Sequence, residues 1–211
     1  MRRQLNFFGL LAVISISITS AFASESTNHN LTARAMLMKM PAEQFRQIST
    51  NDSETFQMPA AMEVIGCLFS ETDTTLAAYS ELQINTEVKN AASENKIADK
   101  VMMPLRETVT GKDIEPYTKF IYKWLENRKY FKVRMHEKTG NNAFRCECVF
   151  EYKNYQVIAV QNKSQTQNNS DEITEIDFSS STEILLNVGE VSVAGCQKIG
   201  EDYYILLVNL Q

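Results

Sequence analysis

The side chain best suited to act as a general base is His136, one of two histidines in the 211-residue chain. Acid–base catalysis needs such a group beside a nucleophile and a third group that orients it. His136 follows Val133 and Met135 in a stretch where apolar and polar residues alternate, so it is predicted to lie on the solvent face of a strand. The pattern favours an exposed histidine over a catalytic base.

Three carboxylates close together in the sequence, Glu172, Glu175 and Asp177, are a second candidate site. Glu175 and Asp177 are two residues apart, so in a strand they share one face. Paired carboxylates can transfer protons or bind calcium, but a solvated strand edge is the favoured interpretation. The sequence contains no Gly-rich phosphate loop, no Gly-x-Ser-x-Gly and no metal-ligand spacing. We therefore predict no catalytic residue, no metal site and no cofactor, and expect the protein not to be an enzyme.

The remaining reactive groups are four cysteines, Cys67, Cys146, Cys148 and Cys196. In an oxidising compartment an even number suggests two disulfides, or one disulfide and two thiols. Because Cys146 and Cys148 are two apart on a predicted strand, a bridge between them would be strained. A long-range bridge from Cys67 or Cys196 to one of this pair is favoured. A zinc site or a redox pair is the alternative, which the two histidines and the Cys-x-Cys spacing support poorly.

The first residues predict export. Arg2 and Arg3 precede an apolar run at 7–18, and Ala21 and Ala23 occupy the small-residue positions that a signal peptidase reads. The run is shorter than the roughly 20 residues of a membrane-spanning helix, so cleavage after Ala23 is expected, with a membrane anchor as the alternative. The product is predicted to be periplasmic or secreted, without stable membrane insertion.

Composition limits the partners and the number of domains. The formal net charge is −5 and no basic stripe is visible, so nucleic acid is not expected as a partner. After cleavage about 188 residues remain, enough for one domain with its own core. The predicted division is a signal peptide at 1–23, a polar lead-in with a short helix (41–48) at 24–54, and a single domain at 55–211.

The elements that would position these residues follow from hydrophobic periodicity. Helices are predicted at 74–92, at 95–108 with a kink at Pro104, and from Asp113 to Lys129, where the apolar stripe includes the only tryptophan, Trp124, as a core residue. A strand is predicted at 61–69, and a β-hairpin at 131–152 places Cys146 and Cys148 on its buried side.

Further strands are predicted at 155–161, 173–178 and 182–188. A closing hairpin is predicted from 190–199 and 203–210. The last strand is apolar on both of its faces, so we expect it to lie among other strands at the centre of the fold. The predicted fold class is α+β, with a mostly antiparallel sheet of five to six strands packed against two to four helices.

Three segments together resemble one family. They are VIGCLFSE at 64–71, the Ala-containing TLAAYSEL at 75–82, and an ending with GEVSV at 189–193 and DYYILLV at 202–208. The combination is similar to the LPP20-type domains of exported bacterial surface and periplasmic proteins. The resemblance implies a short Gly-containing strand before an Ala-rich helix, an α+β fold and a non-enzymatic role in the cell envelope. It implies no functional residue.

The expected function is protein–protein contact by an exported, non-enzymatic protein in envelope, secretion-system or surface-structure assembly. The alternative is a periplasmic immunity or inhibitor protein that neutralises a toxin or a hydrolase. A neighbouring toxin gene would favour the second function, and a surface-organelle operon the first. The sequence leaves the identity of the partner and the oligomeric state open.

Overall fold

The computed structural model consists of two four-stranded antiparallel sheets, a two-stranded hairpin and two short helices. It describes residues 30–49, 51–52, 55–70, 72–88, 90–111, 114–140, 142–160 and 170–211. The strands are β1 (Asn30–Pro41), β2 (Asn51–Asp52), β3 (Thr55–Phe56), β4 (Thr75–Asn85), β5 (Ala92–Gly111), β6 (Ile114–Lys138), β7 (Ala143–Val160), β8 (Ser170–Asn187), β9 (Val191–Ile199) and β10 (Asp202–Leu210). The helices are α1 (Ala42–Ile48) and α2 (Ala61–Phe69).

The first sheet has the strand order β4-β1-β10-β9. Strand β10 lies at its centre, and its register with β1 runs from Ala33↔Leu210 to Pro41↔Asp202. Side chains of β10 enter two different cores: Leu206 and Val208 face the second sheet, whereas Ile205 faces the helices. The predicted closing hairpin and the central, doubly covered last strand are therefore confirmed.

The two helices cover the outer face of the first sheet. Phe45 of α1 stacks on Tyr203 with ring centroids 3.8 Å apart, and α2 buries Val64 against the same layer. The helix predicted at 41–48 is confirmed as α1. In the described part of the chain, no helix is long and apolar enough to cross a membrane.

The second sheet packs its first half against the inner face of the first sheet. Its strands follow chain order from β5 to β8. Phe131, Phe150 and Phe178 form an edge-to-face chain at the centre of the shared core, with centroid distances of 6.0 and 6.3 Å. The predicted hairpin at 131–152 is confirmed, and Cys146 and Cys148 are buried in this core.

The far half of β5 and β6 extends beyond the region where β6 pairs with β7. Strand β6 pairs with β7 only from Arg128 onwards, while its pairing with β5 continues to the turn at Gly111. Residues 99–111 and 114–127 thus form a two-stranded ribbon, called the ribbon below. One residue pair, Glu107↔Ser170, joins β5 to β8 at this far end.

The predicted α+β class is wrong: strands make up 75% of the structure and helices 10%. The segments predicted as helices at 74–92, 95–108 and 113–129 contain strands β4, β5 and β6, whereas the strand predicted at 61–69 is helix α2. Trp124, predicted to be a core residue, is exposed. The helix predictions failed because apolar residues at four-residue steps share one face in a strand as well as in a helix.

Other expected elements are extended or merged. The strand predicted at 155–161 continues β7, and those at 173–178 and 182–188 are one strand, β8. Residues 30–41, expected within a polar lead-in, form the inner strand β1. Two segments that carried the family resemblance adopt the opposite structures, since 64–69 is helical and 75–82 is extended. The predicted signal peptide and its cleavage at Ala23 lie outside the described residues.

Candidate functional site

His136 does not lie in a catalytic arrangement. It occupies an irregular position where the β6–β7 register shifts between Met135 and Glu137, and its side chain is half-buried. Among the described residues, neither an ion pair nor a hydrogen bond joins it to a carboxylate. The chemistry that would make it a base therefore has no second partner here.

The carboxylates of β8 are matched by cations. Glu175 accepts from Lys153 across the strand pair at 2.6 Å, and this hydrogen bond lowers the pKa of the Glu175 carboxyl. Glu175 and Asp177 share a strand face, as the sequence predicts. Over the described ranges no group of three or more His, Cys, Asp or Glu side chains is placed to hold a metal ion.

The four cysteines divide between the two cores. Cys146 and Cys148 lie between the sheets, while Cys67 of α2 and Cys196 of β9 border the layer under the helices. All four are free thiols, and the long-range disulfide stays a prediction. Burial raises the pKa of Cys146 and Cys196 to about 11 and that of Cys148 to about 12, the last also through the neighbouring charges of Cys146 and Glu147.

We expect Cys67 to be the first thiol modified in the reduced native protein. It is partly exposed, whereas the Cys146 and Cys148 side chains are fully buried and their raised pKa values suppress the reactive thiolate. Timed alkylation followed by peptide mass spectrometry measures the order. In denaturant all four should react at similar rates, and Cys67→Ser should remove the fast phase. Native modification of Cys148 as fast as that of Cys67 would contradict the burial described here.

The most unusual surface of the molecule lies on the ribbon. Phe120, Tyr122 and Trp124 of β6 are 56%, 58% and 69% exposed. They occupy alternate positions of one strand, so their side chains point to the same side. Phe131, Val133 and Met135 of the same strand are buried and have the opposite parity, so the three aromatic rings point away from the core.

Strand β5 completes this surface through its register with β6. Trp124 lies opposite Met102, Tyr122 opposite Pro104, and Phe120 opposite Arg106. Met102 is also half exposed. At about 3.4 Å per residue, the three rings form a row roughly 14 Å long. We call Phe120, Tyr122, Trp124 and Met102 the aromatic face.

Ion pairs lie at both ends of the aromatic face. At one end, Arg106 donates to Asp171 of β8 through its side chain at 3.1 Å and through its backbone N–H at 2.9 Å. These hydrogen bonds hold the pKa of the Asp171 carboxyl below its usual value. Asp171 is only 8% exposed, so the pair fixes the far end of the ribbon against β8.

At the other end, Glu126 accepts from Arg128, and this hydrogen bond lowers the pKa of the Glu126 carboxyl. Lys100 lies directly opposite Glu126 on β5. Together with Trp124 and Leu125, these two residues line a shallow depression of about 420 Å³. This end of the face therefore combines a large ring with both signs of charge.

The sequence gave one signal of this site that the helical interpretation hid. Aromatic residues at 120, 122 and 124 alternate with apolar or basic ones in KFIYKWL (119–125). An i, i+2, i+4 spacing of aromatic residues is typical of a strand. Lys119 and Lys123 between them mark a segment that is solvated and not buried.

The fold and the site define an all-β protein with an exposed aromatic binding face. No family model matches the chain, and neither a curated protein nor a solved structure shows significant similarity to it. The function is therefore argued from the site alone.

Proposed function

We propose that this chain is an exported, non-enzymatic protein that acts through protein–protein contact in envelope or surface-structure assembly, and that the aromatic face is its contact. The observation that carries the proposal is the row of Phe120, Tyr122 and Trp124, each more than half exposed. Contiguous exposed apolar surface is uncommon on a monomeric protein and marks interaction sites. Covering these rings removes apolar area from water, which favours association.

The composition of the face supports a protein partner. Aromatic residues, methionine and arginine are enriched in the buried centres of protein interfaces, and tryptophan, tyrosine and arginine dominate their binding energy. The face contains Tyr122, Trp124 and Met102, with Arg106 beside Phe120. The rings stand on a paired strand, so little conformational entropy is lost when a partner covers them.

A photo-crosslinking experiment tests this function. A photoreactive phenylalanine analogue at position 122, in the chain expressed in its native host, should give covalent adducts with another polypeptide on illumination. The control places it at Leu185, an apolar side chain that is similarly exposed on β8. Adducts no stronger at 122 than at 185 would refute the proposal, and an adduct with a hydrolase or a toxin would favour the inhibitor function instead.

Export makes a separate prediction. Because Arg2 and Arg3 precede the apolar run and Ala23 is the expected cleavage position, the mature chain should begin at Ser24. Intact-mass measurement of the protein recovered from the periplasm or medium checks this. Ala21→Arg with Ala23→Arg should block processing and leave the longer chain with the membranes. Recovery of the unprocessed wild-type chain from the cytoplasm would contradict export.

A further inference from the structure

We propose that the partner of the aromatic face is the α2 surface of a second copy of this chain, so that copies associate head to tail. This inference rests on the proposed function, in which the aromatic face is a protein contact. The α2 surface consists of Met62, Gly66 and Phe69.

The α2 surface is apolar and solvent-exposed. Helix α2 packs Val64 against the first sheet and leaves Met62 and Phe69 72% and 50% exposed. Met62, Gly66 and Phe69 follow the i, i+4, i+7 spacing of one helix face. Exposed apolar side chains on a second, separate element give the molecule two surfaces that water solvates poorly.

Gly66 gives this surface a shape that suits a flat ring. A Cβ built on Gly66 would meet no atom within 4 Å beyond the local helix backbone. The position is therefore an open notch between Met62 and Phe69. Glycine inside a helix costs about 1 kcal/mol relative to alanine, which suggests that close approach of another group is needed there. Methionine sulfur beside an aromatic ring is also a favourable contact.

The two surfaces lie in segments of opposite charge. Residues 47–88, which include α2, contain seven Asp and Glu residues and no Lys or Arg. Residues 92–138, which form β5, β6 and their turn, contain eleven of the 21 Lys and Arg residues but seven of the 26 Asp and Glu residues. Opposite charge steers two surfaces together and disfavours pairing of like with like. Pairing of the aromatic face with the α2 surface is thus favoured over self-pairing of either one.

One copy cannot satisfy its own surfaces. The helices cover one face of the first sheet and the second sheet packs on the other, so the first sheet separates α2 from the ribbon. The contact must form between copies. Because it joins two different surfaces, each copy keeps one surface free for the next, and the product is an open chain or a closed ring. This is the geometry that a structural assembly uses.

Sedimentation velocity over a concentration series of the mature protein tests the inference. The mean sedimentation coefficient should rise with concentration, and Trp124→Ala and Phe69→Ala should each weaken association by about tenfold or more. Gly66→Leu should weaken it similarly, because the new side chain fills the notch, while helix propensity keeps its melting temperature at or above that of the wild type. Leu185→Ala, outside both surfaces, should leave association unchanged.

A mixing experiment distinguishes head-to-tail from symmetric pairing. Trp124→Ala keeps an intact α2 surface and Phe69→Ala keeps an intact aromatic face. A mixture of the two should form dimers and nothing larger, although neither variant associates alone. A wild-type protein that stays monomeric at all concentrations, or a mixture that forms no dimer, would overturn the inference. If the crosslink at 122 then captures a different polypeptide, the proposed function stands and only the identity of the partner is wrong.

Discussion

Replacing Phe150 with alanine is expected to lower the free energy of unfolding by about 3–5 kcal/mol. Phe150 is fully buried on β7 and makes edge-to-face contacts with both Phe131 and Phe178. Truncation removes the buried apolar area and both ring contacts, and it leaves a cavity between two sheets that cannot collapse onto it. Urea denaturation followed by circular dichroism at about 25 °C measures the loss.

Trp124→Ala is the matched control, since it removes a larger aromatic ring. Because the Trp124 side chain is 69% exposed, its loss should change stability by less than about 0.5 kcal/mol. The measurement belongs at low protein concentration, where association does not add to stability. A cost for Trp124→Ala comparable to that of Phe150→Ala would mean that the ribbon is packed and that the aromatic face is not a free surface.

Gly195→Ala on β9 is expected to destabilise the fold by about 1–3 kcal/mol, although it adds one methyl group. A Cβ at this position would lie 2.5 Å from Ser180 Oγ and 2.9 Å from Ser180 Cβ on β8. Ser180 donates a hydrogen bond to the backbone oxygen of Ala194 at 2.9 Å, so its hydroxyl cannot rotate away without losing that contact. Chemical denaturation of the variant measures the loss.

A double-mutant cycle identifies the cause. Ser180→Gly removes both atoms that the new methyl group would meet, so the cost of Gly195→Ala should fall when Ser180 is already glycine. Gly200→Ala is not a suitable control because Gly200 has a positive φ. Ala194→Gly, in the same strand, controls for the general effect of changing a small residue. Fully additive effects of the 180 and 195 substitutions would show that the close approach of β8 and β9 is not responsible.

The parts of the fold that the sequence predicted are those with one buried and one solvated face. In β7 the core residues Phe144, Cys146, Cys148 and Phe150 alternate strictly with polar ones. The last strand was recognised for a different reason, since a run that is apolar on both faces over nine residues is long for a strand edge and short for a buried helix. Both patterns have one structural solution.

The wrong predictions arose where the pattern has two solutions. Ile97, Val101, Leu105 and Val109 recur at four-residue steps, and all four lie on one face of β5. Four is a multiple of two, so this spacing suits a strand as well as a helix. Pro104 then favoured a kinked helix, although a proline also suits a strand with a free edge, where no ladder donor is required. The 95–108 segment was therefore ambiguous from spacing alone.

The aromatic face was missed for a related reason. Both faces of the ribbon carry apolar residues, as Ile121 lies between Phe120 and Tyr122, so the strand shows no alternation to recognise. Sequence periodicity detects burial, and this segment is not buried. Its aromatic and β-branched content favoured a strand, but the helical stripe through Tyr117, Ile121 and Trp124 was given more weight.

The pairing of β1 with β10 sets the order of events during synthesis. Ala33 is hydrogen-bonded into the sheet beside Leu210, so the central sheet cannot form until residues 202–210 have left the ribosome. Contacts between residues so distant in sequence also form slowly, on a scale of milliseconds to seconds. A nascent chain of this protein therefore stays extended for nearly the whole of translation. Such a chain can be threaded through a translocation pore before it folds, and a binding chaperone would have a long interval in which to hold it open.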